Sequence, residues 1–148
     1  MNLQKILGVD VVRPRLSSKT KTDVINELLG ILVATGKVKD EEVARTALFE
    51  RERKMSTGMQ HGIAIPHGKT AAVDSLIACV GVSRDGIDFG SLDGEPAYIF
   101  IMTLSPKDGT GPHILFLAEV SELLKNRERR EAMLRASASE ELLDILTS

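Results

Sequence analysis

Apolar residues in the first third of the chain fall at helical spacing. Val24, Ile25, Leu28, Leu29 and Leu32 share one face. Thr20 and Asp23 stand three apart before them, as in a capping box with Asp in place of Glu, and Gly36 supplies a stop. Asp40 is placed to cap a second helix, and Glu41 and Glu42 suit its N-terminal dipole. Val43, Ala44, Ala47 and Leu48 form its expected inner face, and it should run to about Arg53. The first eighteen residues read as a short arm or strand, with Val9, Val11 and Val12 ahead of Pro14.

The spacing then changes. Ile63 to Ile65 reads as a short strand, Leu76 to Ser83 as a stronger one, and Ala97 to Leu104 as stronger again. The last two are continuous apolar runs, the pattern of strands covered on both faces. Arg84-Asp85-Gly86 and Leu92-Asp93-Gly94-Glu95-Pro96 read as turns. After a breaker-rich loop, residues 105–112, a helix is expected from about His113, with Ile114, Leu117, Ala118, Ser121 and Leu124 on one stripe. Its first turns are apolar nearly all round, which predicts a central helix. Two short helices follow. The last begins near Ser137 or Ser139, with Ser137 and Glu140 at capping-box spacing, and carries Leu142, Leu143, Ile145 and Leu146. Strands interleaved with helices predict a single α/β domain over residues 1–148.

Composition narrows the function classes. The formal net charge is −2 and no dense Lys/Arg run occurs, which argues against nucleic acid as a partner. The mixed-sign cluster from Lys125 to Glu131 reads as a solvated helix junction. The one cysteine, Cys79, excludes an internal disulfide framework, and its apolar run predicts a buried, inert thiol. No signal peptide is expected at Met1 to Lys5, and no apolar run approaches the roughly 18 residues of a membrane span. The expected setting is the cytoplasm, without membrane insertion.

Candidate chemistry gathers around Ser56 to Lys69. Pro66 fixes its own φ and restricts Ile65, so the backbone entering His67 is stiff. Gly62 and Gly68 flank it and allow close approach by a ligand. The pattern predicts a Pro-His-Gly turn that presents an imidazole, a good nucleophile near neutral pH. His113, after Gly111-Pro112, is expected at a helix start, where it is either a cap or part of an anion site. Arg51 lies in the alternating run Glu50-Arg51-Glu52-Arg53, and taken alone such a run is a solvated face. Ser56 and Thr57 are either ordinary loop residues or hydroxyl donors to a phosphate or to His67. The glycines make neither a Walker loop nor a dinucleotide fingerprint, so no cofactor is expected. A metal-dependent hydrolase built on His61, His67 and His113 lacks an acidic ligand and any metal-binding spacing, so no metal is expected either.

Three pieces of sequence carry a resemblance. They are Arg51-Glu52, the block Ser56 to Lys69 with its Ile-Pro-His-Gly core, and Gly111-Pro112-His113-Ile114-Leu115-Phe116-Leu117. In order and approximate spacing they resemble the enzyme IIA domains of the phosphoenolpyruvate-dependent phosphotransferase system, of the fructose/mannitol/nitrogen-regulatory type. The likeness covers nearly all 148 residues. It implies a mixed central sheet flanked by helices on both faces. It implies that His67 is phosphorylated, that His113 and Arg51 stabilise the phosphoryl group, and that Ser56, Thr57 and Gly68 form a phosphate loop. The implied donor is the histidine phosphocarrier protein. The implied recipient is an enzyme IIB component or, in the nitrogen-regulatory branch, a regulated target protein. With one domain expected over 148 residues, no fused IIB or membrane component is expected. Phe89 to Pro96 and Gly111-Pro112-His113 stand slightly closer to fructose-type members. His61 departs from the family, which often has Asn or another small polar residue there.

Overall fold

The computed structural model describes residues 3–108 and 110–148. Gly109, in the breaker-rich loop, and Met1 and Asn2, in the arm, lie outside the described residues. The arm is more helical than expected. It forms α1 (Leu3–Ile6) and a 3-10 turn (Val9–Val11) before β1 (Val12–Arg13). Then follow α2 (Lys21–Val33), α3 (Glu41–Lys54), β2 (Ile63–Ala64), β3 (His67–Lys69), β4 (Ile77–Ile87), β5 (Ala97–Ser105), α4 (Thr110–Leu124), α5 (Arg127–Arg135) and α6 (Ser139–Thr147).

Both expected caps form. The Thr20 side chain accepts from the Asp23 N–H, and the Asp40 side chain accepts from the Val43 N–H. Gly36, at φ +78°, closes α2. The inner face of α3 is shifted from the expected one. Ala44, Leu48 and Glu52 are buried, whereas Val43 is 45% exposed.

The sheet runs β1-β4-β5-β2, with β3 also on β5. β4 and β5 are antiparallel, and every other pairing is parallel. β4 passes through Arg84-Asp85-Gly86, expected to be a turn, because a register irregularity between Val82 and Ile87 absorbs those residues. β2 and β3 hold the same register on β5, Ile63 opposite Ile99 and His67 opposite Thr103. They are one lane interrupted at Ile65-Pro66. Pro66 has no N–H to donate, but its carbonyl still accepts from the Thr103 N–H at 3.1 Å.

Helices cover both faces of this mixed sheet. On one, the Cys79 thiol reaches the Leu28 carbonyl of α2, and Gly68 packs on the α3 backbone. On the other, Thr103 meets His113 of α4, which packs with α5. Cys79 is fully buried and pushed up to about 12 by desolvation, the inert thiol expected. α4 begins three residues before His113, because Pro112 fits a first turn. Its buried stripe is His113, Phe116, Val120 and Leu124. Ile114 and Leu115 are 59% and 54% exposed, so the apolar start of α4 is a surface and not a core.

Candidate functional site

The interrupted lane builds the site. In a parallel strand, the backbone groups of alternate residues point to opposite edges. Those of Ile65 point away from β5, towards the chain segment 57–59. There the Ile65 N–H donates to the Thr57 carbonyl at 3.0 Å, and the Met59 N–H donates to the Ile63 carbonyl at 2.7 Å. The Ile65 carbonyl lies within 2.9 Å of His67 Nδ1. A carbonyl only accepts, so Nδ1 carries the proton and Nε2 keeps its lone pair. His67 is therefore a strand residue and not a turn residue, and its ring folds back on the carbonyl two positions earlier.

His67 and Lys69 share one face of β3, as do their partners Thr103 and Ser105 on β5. His113, on the fourth residue of α4, packs onto this face. Its Nε2 lies 3.2 Å from Thr103 Oγ1, and its ring centroid lies 5.1 Å from that of His67. Lys69 Nζ donates to Thr110 Oγ1 at 2.6 Å, tying β3 to the first turn of α4. Arg51 donates from Nη1 to the Met55 carbonyl at 2.7 Å, closing the end of α3.

Electrostatics keeps both rings neutral. Burial lowers His67 below the ordinary histidine value; the Ile65 hydrogen bond opposes this, and the Arg51 and Lys69 charges add to it. Burial also pushes His113 down to about 4, helped by His67 and Lys69. The site thus pairs a neutral imidazole with nearby cations, the setting for a ligand that brings its own negative charge.

The hydroxyls of the expected phosphate loop are engaged within the protein. The Thr57 hydroxyl donates to Glu52 Oε1 at 2.5 Å, and the Ser56 hydroxyl donates to the Phe89 carbonyl at 3.1 Å. Both hydroxyl protons are therefore engaged away from His67. The side-chain position of Gly68 faces α3, opposite His67. A Cβ there would stand 3.2 Å from the Ala47 carbonyl carbon, so helix packing accounts for the glycine. His61 is exposed, at φ +62°, in the turn before β2. It lines a cavity of about 520 Å³ with Met59, Ile63, Ile65, Leu92 and Leu124; His67, His113 and Arg51 are not among the lining residues. Among the described residues, no three His, Cys, Asp or Glu side chains are grouped to hold a metal ion. No helix of the described chain is long and apolar enough to cross a membrane.

Sequence reasoning missed Thr103 and Lys69 and gave no role to Glu52. The signals were present: a lone threonine in an apolar strand run, a cation two residues beyond the histidine, and a carboxylate four residues after Leu48 on the buried stripe of α3.

The family model described as "Phosphoenolpyruvate-dependent sugar phosphotransferase system, EIIA 2" matches residues 5–148. A fructose-specific EIIA component of Haloferax volcanii is 38% identical over 98% of this chain and 94% of its own. A fructose-specific EIIABC component of Bacillus subtilis is 35% identical over 99% of this chain, which spans only 23% of that protein. Among solved structures, the nitrogen regulatory protein IIA-Ntr of Neisseria meningitidis superposes with a TM-score of 0.85 at 26% identity, covering 98% of this chain and 99% of that one. The chain is a member of the type-2 EIIA family of the phosphoenolpyruvate-dependent sugar phosphotransferase system, a family of phosphoryl-transfer components.

Proposed function

We propose that this chain is a phosphoryl carrier that accepts a phosphoryl group on Nε2 of His67 from the histidine phosphocarrier protein and passes it to an enzyme IIB component. The observation that carries this is the His67 Nδ1–H bound to the Ile65 carbonyl at 2.9 Å, which leaves Nε2 as the free nucleophilic atom. The Nε2 lone pair attacks phosphorus in line, and a new P–N bond forms as the donor's P–N bond breaks. The proton stays on Nδ1 throughout, hydrogen-bonded to the Ile65 carbonyl. Arg51 and Lys69 offset the charge on the equatorial oxygens and the neutral His113 ring donates a hydrogen bond to them, so catalysis consists of positioning and electrostatics. The same atoms serve the reverse step, onward transfer.

Ile114 and Leu115, exposed beside His113, together with Met55 beside Arg51, offer an apolar surface for a partner. Donor and acceptor must use it in turn, so each interface is small and transient.

The higher identity to the fructose-specific relatives favours a fructose-type IIB partner. The nitrogen-regulatory reading, in which the phosphorylation state controls a target protein, draws on the near end-to-end superposition with IIA-Ntr. The test is to phosphorylate the chain through phosphoenolpyruvate, enzyme I and the histidine phosphocarrier protein, remove the donors, and add a fructose-type IIB protein. Loss of label from this chain with gain on IIB supports the transport reading. A stable label in the presence of a competent IIB rejects it in favour of the regulatory one.

A further inference from the structure

The Ile65 carbonyl that orients His67 stands at the end of a hydrogen-bonded chain starting on α2. The Ile65 N–H donates to the Thr57 carbonyl at 3.0 Å. Thr57 is gripped twice by Glu52: its N–H donates to Oε2 at 2.9 Å and its hydroxyl to Oε1 at 2.5 Å. Lys21 Nζ meets the same Oε2 at 2.9 Å, donates to the Phe89 carbonyl at 3.0 Å, and lies 4.6 Å from the centroid of the Phe89 ring. Glu52 and Thr57 are 7% and 5% exposed. A buried carboxylate is tolerated only when its oxygens are fully engaged, and here three donors share two oxygens.

We infer that Glu52 and Thr57, with Lys21 as their counter-charge, are positioning residues that fix the proton of His67 on Nδ1 and so decide which ring nitrogen is the nucleophile. The inference rests on the reading of His67 as the phosphoryl acceptor. A neutral imidazole can carry its proton on either nitrogen, and the partner of one nitrogen sets the state of the other. The Pro66 ring stiffens the chain on the C-terminal side of Ile65, and the Ile65 N–H itself is held by the Thr57 carbonyl. Release of Thr57 lets the carbonyl move, and the 2.9 Å bond to Nδ1 is the contact that fails. Glu52 never touches the reacting atoms. It acts through Thr57 and two peptide groups.

The test compares Thr57→Val, which keeps the N–H but removes the hydroxyl, with Thr57→Ser, which keeps both donors. Long-range proton–nitrogen NMR reads the His67 tautomer in each folded protein, and rapid quench reads acceptance from the phosphorylated histidine phosphocarrier protein. In wild type and Thr57→Ser, Nδ1 should carry the proton. In Thr57→Val the ring should lose its single tautomer, and the maximal acceptance rate should fall about tenfold with the donor KM unchanged, since alignment and not docking is lost. An unchanged tautomer in folded Thr57→Val overturns the inference, whatever happens to the rate. Should Thr57→Val fail to fold, Lys21→Gln, at a partly exposed site, decides by the same ring signals. If the wild type accepts no phosphoryl group, the carrier reading fails, while the ring tautomer still decides the relay.

Discussion

The two faces of β5 behave as two different regions. On the face towards α2 and α3, Phe100, Met102 and Leu104 are fully buried and apolar, and Cys79 of β4 is held inert beside Met102. On the face towards α4, the same strand carries Thr103 and Ser105, opposite His67 and Lys69. Ser105 Oγ is buried with no hydrogen-bond partner, a cost that Phe100, Met102 and Leu104 do not carry. One strand thus divides its labour by the alternation of its side chains: one face is apolar from Phe100 to Leu104, and the other turns from Ile99 and Ile101 to Thr103 and Ser105, where a histidine is positioned.

Substitutions should separate the two faces. The largest effect is expected from Phe100→Ala, which should lower stability by about 3–5 kcal/mol through cavity formation, read as a fall in the denaturation midpoint. Phosphoryl acceptance per folded molecule should be unchanged. The polar face should instead respond to acid. His113, held near 4 when folded against about 6.5 when unfolded, is neutral in both states at pH 7. As pH falls through that window the unfolded chain takes up the proton first, so stability should drop by roughly 3 kcal/mol between pH 7 and 4. His113→Leu should flatten this dependence in denaturant titrations at several pH values; an equally steep loss would mean that other groups drive it.

His113→Ala should slow transfer about 100-fold by removing one stabilising group, yet still yield a product phosphorylated on His67. Complete loss of labelling in that folded variant, with His67 unmodified, would mean that the nucleophile is misassigned. Gly68→Ala tests the apolar face from β3. Its Cβ would crowd Ala47, so a loss of about 1–2 kcal/mol in stability is expected, with the rate of transfer nearly preserved. A large specific loss of transfer would restore Gly68 to a phosphate-binding role.

These contrasts also mark what sequence could and could not reveal. The caps at Thr20 and Asp40 and the apolar runs of β4 and β5 were legible because each is a local pattern. His67 read as a turn residue, since only its pairing with the distant Thr103 makes it part of a strand. The stripe on α4 was misplaced because an apolar start looks the same whether it faces a core or a protein partner; the exposure of Ile114 and Leu115 distinguishes the two. Arg51, His67 and His113 were named from motifs, and the structure brings the two rings within 5.1 Å and places the Arg51 charge close enough to act on His67. The engagement of Thr57 by Glu52 was not legible. A Ser-Thr-Gly loop offers hydroxyls to any acceptor; a buried carboxylate five residues back took that of Thr57, and the Phe89 carbonyl took that of Ser56.

The central claim is that the free Nε2 of His67 accepts a phosphoryl group. Intact mass after incubation with phosphoenolpyruvate, enzyme I and the histidine phosphocarrier protein, beside His67→Ala, tests it most directly. One acid-labile phosphoryl group on the wild type and none on the folded variant is the predicted result. Equal labelling of both proteins, or none on the wild type with a working donor chain, would contradict it.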